Sequence, residues 1–481
     1  MKRIHRRRKR RMGAMRTKEK VLTNKTKSER ILNGPMLGSM LLFTLPLILT
    51  SILQQMYSTA DTLIVGMAGG KESLSAVGAS GSIIALCVTL FVNIFVGTNI
   101  LVARYTGERN EDVLERIVST TYIMSLVMGV ILMVVGELFA KRLLILTECP
   151  VEILDEATKY LRIYFFAAPA SMITNFSASV IRNSGDSRSP FIYLSVSGAA
   201  NVLFNLIFVF LLGDPVAAVA WATVISIYLG AVLFLMHMMR MNGAMRLSPF
   251  RFRFDKEIFG KTLRLGIPTA LANCCFVIPN ILIQPVVNSF GTDGISGMSA
   301  ASAIEDYVNL ITSTFGTTTA VFIGQNMGAG NKPRVKSILI KSYILTVSIA
   351  IVLSCVLLTV AKPLLGLFIP GEEAAIEFGY KKLSLCLSAS FLASIIYSSS
   401  GSIQAHGKTM LPMISNIVGA CLFRIIWILF VYPLNPVPEN FFICYPLSWA
   451  ICAVFLFTAS TILTRRYLKS NESDSIVAVK K

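Results

Sequence analysis

The sequence predicts an all-α integral membrane protein of twelve transmembrane helices in two parallel six-helix repeats. Three observations lead there. Of the 481 residues, 54% are hydrophobic and only 15% charged, with a mean hydropathy of +0.65, too apolar for a water-soluble domain. Apolar windows of about 20 residues, the length that crosses a hydrocarbon core, recur twelve times along the chain. The chain also matches itself when slid by about 222 residues: Pro46 falls on Pro268, Gly69 on Gly291, Gly185 on Gly407 and Pro190 on Pro412. With a slip of one residue, Gly107 and Asn110 fall on Gly328 and Asn331. Six spans per repeat is an even number, so both halves enter the membrane in the same sense and are related by an axis along its normal.

In order, the windows lie near residues 36–66, 77–103, 117–140, 160–181, 190–212, 216–239, 263–290, 296–326, 338–360, 383–404, 411–432 and 441–464. The fourth and tenth are rich in Ser and Ala, which weakens their hydropathy. Short segments holding the charges, Pro and Gly separate them. The chain therefore divides into a basic arm (1–35), an N-terminal lobe (36–240), a linker (241–261), a C-terminal lobe (262–465) and a tail (466–481).

The formal charge of +19 is concentrated at the start, where residues 1–35 carry fourteen Lys and Arg. Beside a membrane span such an arm marks the cytoplasmic side or meets anionic lipid. No folded nucleic-acid motif accompanies it, so nucleic acid is not an expected partner. Lys and Arg in alternate loops agree: the arm's side holds Arg104, Arg109, Arg116, Arg182, Arg188, Arg240, Lys332, Arg334 and Lys336 among others. The opposite side holds only Lys71, Lys141, Arg142, Lys159, Arg162, Lys362, Lys381 and Lys382. Both termini are expected to be cytoplasmic in a multi-pass protein of the plasma, or inner, membrane.

Enzymatic readings find no support. Nine cysteines include no C-x-x-C pair and the three histidines no H-E-x-x-H, so neither a metal site nor a disulfide framework is indicated. No phosphate-binding G-x-x-x-x-G-K-[ST] loop is present, which excludes this route to ATP hydrolysis, and no D-x-x-x-D pair exists to hold magnesium for a prenyl transferase. No cofactor is expected, and the energy for any transport is expected to come from an ion gradient.

The residue that stands out is Asp61. No charge occurs from Ile31 to Ala60, and the next after Asp61 is Lys71, about 15 Å further along a helix. A charge at the bilayer centre is unfavourable by ~2.5 to 3.5 kcal/mol on insertion scales, so such an acid is ordinarily retained for ion or substrate handling. The alternative is an acid near the helix end that reaches the interface.

LPLILTSILQQMYSTADTLIVGMAGG, ILVARYTGERN, IRNSGDSRSP, NVLFNLIFVF, VAAVAWATVIS, GQNMGAGNKPRVKS and IQAHGKTMLP, in that order and doubled, resemble the multidrug and toxic compound extrusion (MATE) transporters, most nearly the bacterial DNA-damage-inducible-type group. The resemblance runs from about Met36 to Arg465. It implies two six-helix lobes around a central cavity, exporting organic cations and other amphipathic drugs in exchange for protons or sodium, by alternating access and as a monomer in membrane lipid. It also implies an ion-coupling site in the N-terminal lobe, where Asp61 matches the first-helix acid, Asn201 and Asn205 the fifth-helix polar pair, and Thr223 the sixth-helix hydroxyl. Asn205 departs from relatives that carry a second acid there, and the seventh-helix Glu of another branch would fall near Phe276 and is absent. Asp61 is left as the lone carboxylate of the set.

Read as chemistry, Asn201 and Asn205 are four apart and share one helix face, and buried amides demand partners. With Asp61 and Thr223 they form an all-oxygen set suited to an alkali cation, or a carboxylate suited to a proton. Interhelical hydrogen bonding alone is the other reading of the two amides. Gln54 and Tyr57 on the first helix, with Glu305, Asp306 and Arg424 in the second half, are the candidates for a substrate cavity. Glu305 and Asp306 would attract a cationic drug or lie solvated in a wet vestibule. Arg424, the sole charge in the eleventh window, needs a partner, and either acid is a candidate. Glu137 reads as an interfacial acid near Lys141 and Arg142. A lipid-linked saccharide flippase is the competing function; it needs several basic residues facing the cavity, and only Arg424 is clearly within the membrane.

Overall fold

The computed structural model describes residues 28–147, 149–248, 253–274, 283 and 285–470, and every regular element among them is helical. They form two compact units: residues before 36 with Leu41–Gly266, and Met36–Met40 with Ile267 onward. The basic arm up to residue 27, the family position near Phe276 and the tail beyond residue 470 lie outside the described residues.

The first unit is built on α1 (Met36–Gly70), α2 (Glu72–Glu108), α3 (Glu111–Leu146), α4 (Val151–Phe165), α5 (Ala168–Asn183), α6 (Arg188–Leu212), α7 (Pro215–Arg240) and the start of α8 (Lys256–Cys274). Helix ends follow local chemistry. Asn110 accepts the Val113 N–H at 3.2 Å and opens α3, whose first turn carries Glu111 and Asp112 at the positive end of the helix dipole. Asp214 does the same for α7, accepting from Ala217 at 3.1 Å with Pro215 behind it, and also takes the ammonium of Lys159. Phe95, Phe165, Phe176 and Phe234 fill the interior, while Leu203, Leu206, Phe210 and Leu211 on α6 stay exposed. An outward apolar face of this kind is what lipid contact requires. The segment after α7 packs back on α3, with Thr120 Oγ1 accepting the Asp255 N–H at 3.0 Å.

The second unit holds the rest of α8 with α9 (Gly291–Gly328), α10 (Lys332–Thr359), α11 (Ala361–Phe368), α12 (Glu373–Ser388), α13 (Ser390–Ala405), α14 (Met410–Leu434) and α15 (Pro438–Lys469). Among the described residues, eight helices are long and apolar enough to cross a membrane, and α12 with α13, bent by 48°, makes a ninth. The remaining three sequence windows are occupied by α4 with α5, by α8 and by α9. The two Ser- and Ala-rich windows, fourth and tenth, are each broken mid-span, at Phe166–Ala167 and at Ala389.

The repeat is visible in the backbone. Left-handed residues recur at Gly70 and Gly291, at Arg109 and Gly330, and at Gly185 and Gly407. The first two pairs are 221 apart, so the turn equates Gly70, rather than Gly69, with Gly291: one residue is gained between the second and fourth spans.

Helices in lipid associate through close backbone approach at small residues. In the second unit α9 and α13 meet at Gly316 and Gly401, where a Cβ on Gly401 would lie 2.1 Å from the Gly316 carbonyl oxygen. Backbone cannot yield as a flexible side chain does. We expect Gly401→Val to lower stability by about 1–3 kcal/mol, as overpacking does, read as a melting temperature several degrees lower in detergent. Gly366→Ala, whose Cβ would stand 3.8 Å from Ile376, should leave it unchanged. Equal melting of the two variants would contradict the packing.

Candidate functional site

The side chains around Asp61 come from three helices. Gly198 on α6 has no Cβ, and one placed there would sit 1.8 Å from the Tyr57 ring, so the glycine is what lets α1 lie against α6. Tyr57 donates to the Ser195 carbonyl at 3.3 Å. One turn further along α1, Asp61 faces α6 and α7, which are tied to each other by a 2.6 Å bond from Ser197 to the Ser226 carbonyl. At the same contact Gly230 of α7 stands against Ser197, where a Cβ would lie 3.0 Å from its hydroxyl oxygen.

Asn205 Nδ2 donates to Asp61 Oδ1 at 2.5 Å, and Thr223 Oγ1 lies 3.5 Å from Oδ2. Asn201 Nδ2 donates to Thr223 Oγ1 at 3.2 Å. Asn201 and Asn205 are buried; Asp61 is half-buried. The four residues singled out in sequence thus stand together, and no Lys or Arg forms an ion pair with Asp61 among the described residues. A carboxylate met only by neutral donors has no counter-charge among them and can still take up a proton or a cation.

One atom there is unsatisfied: Asn205 Oδ1 is buried and accepts no hydrogen bond. A buried polar atom without a partner is unfavourable by about 1–3 kcal/mol, and an amide oxygen beside a carboxylate is a ligand type that hard monovalent cations take. Tyr160 and Tyr164, missed in sequence, close one side, packing in the cluster of Val65 and Val219, a turn from Asp61 and Thr223 respectively. Gln54 is exposed and does not join the group. A pocket of about 340 Å³ in the same unit is lined by Thr106, Arg109, Ser184 and Asn242 and includes none of these residues.

The second unit handles charge differently. Glu305 is paired with Lys382 at 3.3 Å, and Lys382, which is 2% exposed, also donates to Ser302. Arg424 is 6% exposed; its Nε donates to Ser448 at 3.1 Å and its guanidinium lies over the Tyr445 ring at 4.5 Å. Asp306 is exposed.

A family model described as MatE matches the chain twice, over residues 46–211 and 268–429, with starts 222 residues apart. The chain belongs to the MatE family. It is a multi-pass membrane transporter by that membership and not an enzyme. A probable multidrug resistance protein of Bacillus subtilis is 25% identical over 79% of the chain and 83% of its own length. A probable multidrug resistance protein of Thermotoga maritima is 23% identical, over 78% and 81%. Among solved structures, an outward-facing multidrug resistance MATE transporter of the MOP superfamily superposes with a TM-score of 0.85 at 19% identity, covering 92% of this chain and 98% of that one. A MATE in complex with MaL6 gives the same score at 18% identity, covering 92% and 99%.

Within this MatE chain two sequence readings need correction. Arg424 does not pair with Glu305 or Asp306; the partner of Glu305 is Lys382. Lys382, counted as a loop residue, is instead about 13 Å inside α12, because that helix starts at Glu373, ten residues before its apolar window. The signal was available as periodicity: Ala375, Gly379, Lys382, Leu383 and Cys386 share the buried face of α12, while Lys381 points away and pairs with Glu439 at the surface. Glu137 is paired with Arg162 at 3.5 Å rather than with Lys141, which takes Asp155.

The adjacent lysines give a matched test. Lys382→Met leaves Glu305 buried without a counter-charge and should reduce stability by about 3–5 kcal/mol. Lys381→Met removes an exposed pair worth about 0–1 kcal/mol. Thermal unfolding in detergent should separate the two by many degrees, and indistinguishable curves would contradict the burial of Lys382.

Proposed function

We propose that this chain is a secondary active exporter of organic cations and other amphipathic drugs, working by alternating access in exchange for protons or sodium bound at Asp61. It acts as a monomer in the plasma membrane, with both termini cytoplasmic. The observation that carries the reading is the Asp61 group: one carboxylate, within an apolar helix of a transporter family, met by an amide and a hydroxyl and, among the described residues, by no Lys or Arg. Relatives bearing the names multidrug resistance protein and multidrug export protein support drugs as the cargo.

The mechanism follows from linkage. A ligand drives a conformational equilibrium only through unequal affinity for its two states. With Asp61 charged, the Asn205 amide donates to it at 2.5 Å, while the Thr223 hydroxyl, which also reaches the Val219 carbonyl at 2.9 Å, stands 3.5 Å from its other oxygen. A proton on the carboxyl removes the charge that orients these donors; a sodium ion recruits the oxygens of Asp61, Thr223, Asn201 and Asn205 instead, including the orphaned Asn205 Oδ1. Either event exchanges a charged, hydrogen-bonded α1–α6–α7 contact for a neutralised one, and couples ion occupancy to the packing of these helices.

The flippase reading needs several free basic residues to hold a phosphate-bearing head group. Lys382 is engaged by Glu305, which removes one buried cation from such a role and weakens that alternative.

The test is export of ethidium from proteoliposomes with proton and sodium gradients imposed separately. Wild type should respond to one of them. Asp61→Asn should fall at least ten-fold while ethidium binding stays measurable, and Asn201→Ala or Thr223→Ala should fall only a few-fold, since each removes a neutral group and leaves the charge. Near wild-type export by Asp61→Asn would place the coupling elsewhere.

A further inference from the structure

Among the described residues Arg424 has no counter-ion. Its Nε is held by Ser448 and its face lies on Tyr445, but its two terminal nitrogens make no hydrogen bond or ion pair. Glu305 is engaged with Lys382, and the exposed Asp306 makes no contact with Arg424. Around it lies an apolar cluster that includes Phe441, Phe442, Cys444, Tyr445 and Trp427. A cation within a membrane bundle is strongly disfavoured unless something compensates it.

The geometry of the residue is that of a receptor. Stacking on Tyr445 fixes the guanidinium plane, and the Ser448 bond fixes its rotation, so the edge carrying the two terminal nitrogens is pre-set. That fork matches a carboxylate in bidentate fashion. The helix that presents it is also unusual. Over Asn416–Leu422 and again over Trp427–Val431, α14 is wound as a π-helix, and only the four residues Phe423–Ile426, which include Arg424, are α-helical between them. Such windings are unfavourable as regular structure and concentrate at functional sites.

We propose that the second unit contains an anion-binding subsite at Arg424, Tyr445 and Ser448 for the carboxylate of an amphipathic solute, so that the exported compounds include zwitterions and apolar acids as well as cations. A carboxylate fits better than a phosphate monoester: one uncompensated guanidinium balances one negative charge, and the second buried cation, Lys382, is already paired. The aromatic surroundings call for an apolar body attached to that head group. The physiological meaning rests on the export reading above, but binding to the solubilised protein does not, so failure of one is distinguishable from failure of the other.

The test uses three probes with one tail and different head groups: tritiated 4-butylbenzoate, its neutral amide and 4-butylbenzylammonium. Binding to the purified full-length protein in detergent is read by scintillation proximity at neutral pH. Wild type should hold the benzoate at least ten-fold more tightly than the amide, about 1.4 kcal/mol. Arg424→Gln should bring that ratio to about one without changing the ammonium probe. If Arg424→Gln does not fold, Arg424→Lys carries the test, since it keeps the charge and loses the fork and should lower the ratio several-fold. A ratio near one in wild type, or a ratio unchanged in either variant, overturns the proposal.

Discussion

In the first unit α1, α6 and α7 meet at a carboxylate that no Lys or Arg among the described residues neutralises. Asp61 sits on an apolar helix, and the groups that reach it are an amide and two hydroxyl or amide neighbours in series, Asn205, Thr223 and Asn201. Neutral donors soften the unfavourable burial of the charge without cancelling it. The close fit of α1, α6 and α7, set by Gly198 against Tyr57 and by the Ser197 to Ser226 bond, makes that contact sensitive to whether the charge is present.

The second unit, built from the same repeat, handles charge in the opposite way. Glu305 is locked to Lys382, and a buried pair of that kind adds little net stability yet is strongly destabilising to break by removing one partner. What remains uncompensated is positive, at Arg424. The two halves of one duplicated fold therefore differ in chemistry: among the described residues, Asp61 in one and Arg424 in the other make no ion pair. A transporter whose cargo carries both apolar bulk and charge gains discrimination from such a division.

The sequence made the parts governed by local rules easy to read. Helix number, the repeat and the membrane class follow from hydropathy and spacing, and the double match at residues 46–211 and 268–429 has the same offset. Asp61 was legible because its isolation is itself the signal, and Asn201 with Asn205 because four residues bring two side chains to one face. The pairing of Lys382 with Glu305 was not, since it depends on how α12 crosses α9 between residues 77 positions apart. Lys381 and Lys382 are identical in composition and differ only by one step of helix rotation, which buries one and exposes the other. The breaks at Phe166–Ala167 and Ala389 were hidden because their flanks read as weak but continuous spans.

The claim that Asp61 is where the driving ion and the drug act on one equilibrium can be measured without a membrane gradient. Purified protein in weakly buffered detergent, with a pH indicator and a sodium electrode, is titrated with ethidium. The account predicts release of up to about one proton or one sodium ion per protein on drug binding, and none from Asp61→Asn, which still binds ethidium. Equal ion release from wild type and Asp61→Asn would contradict it.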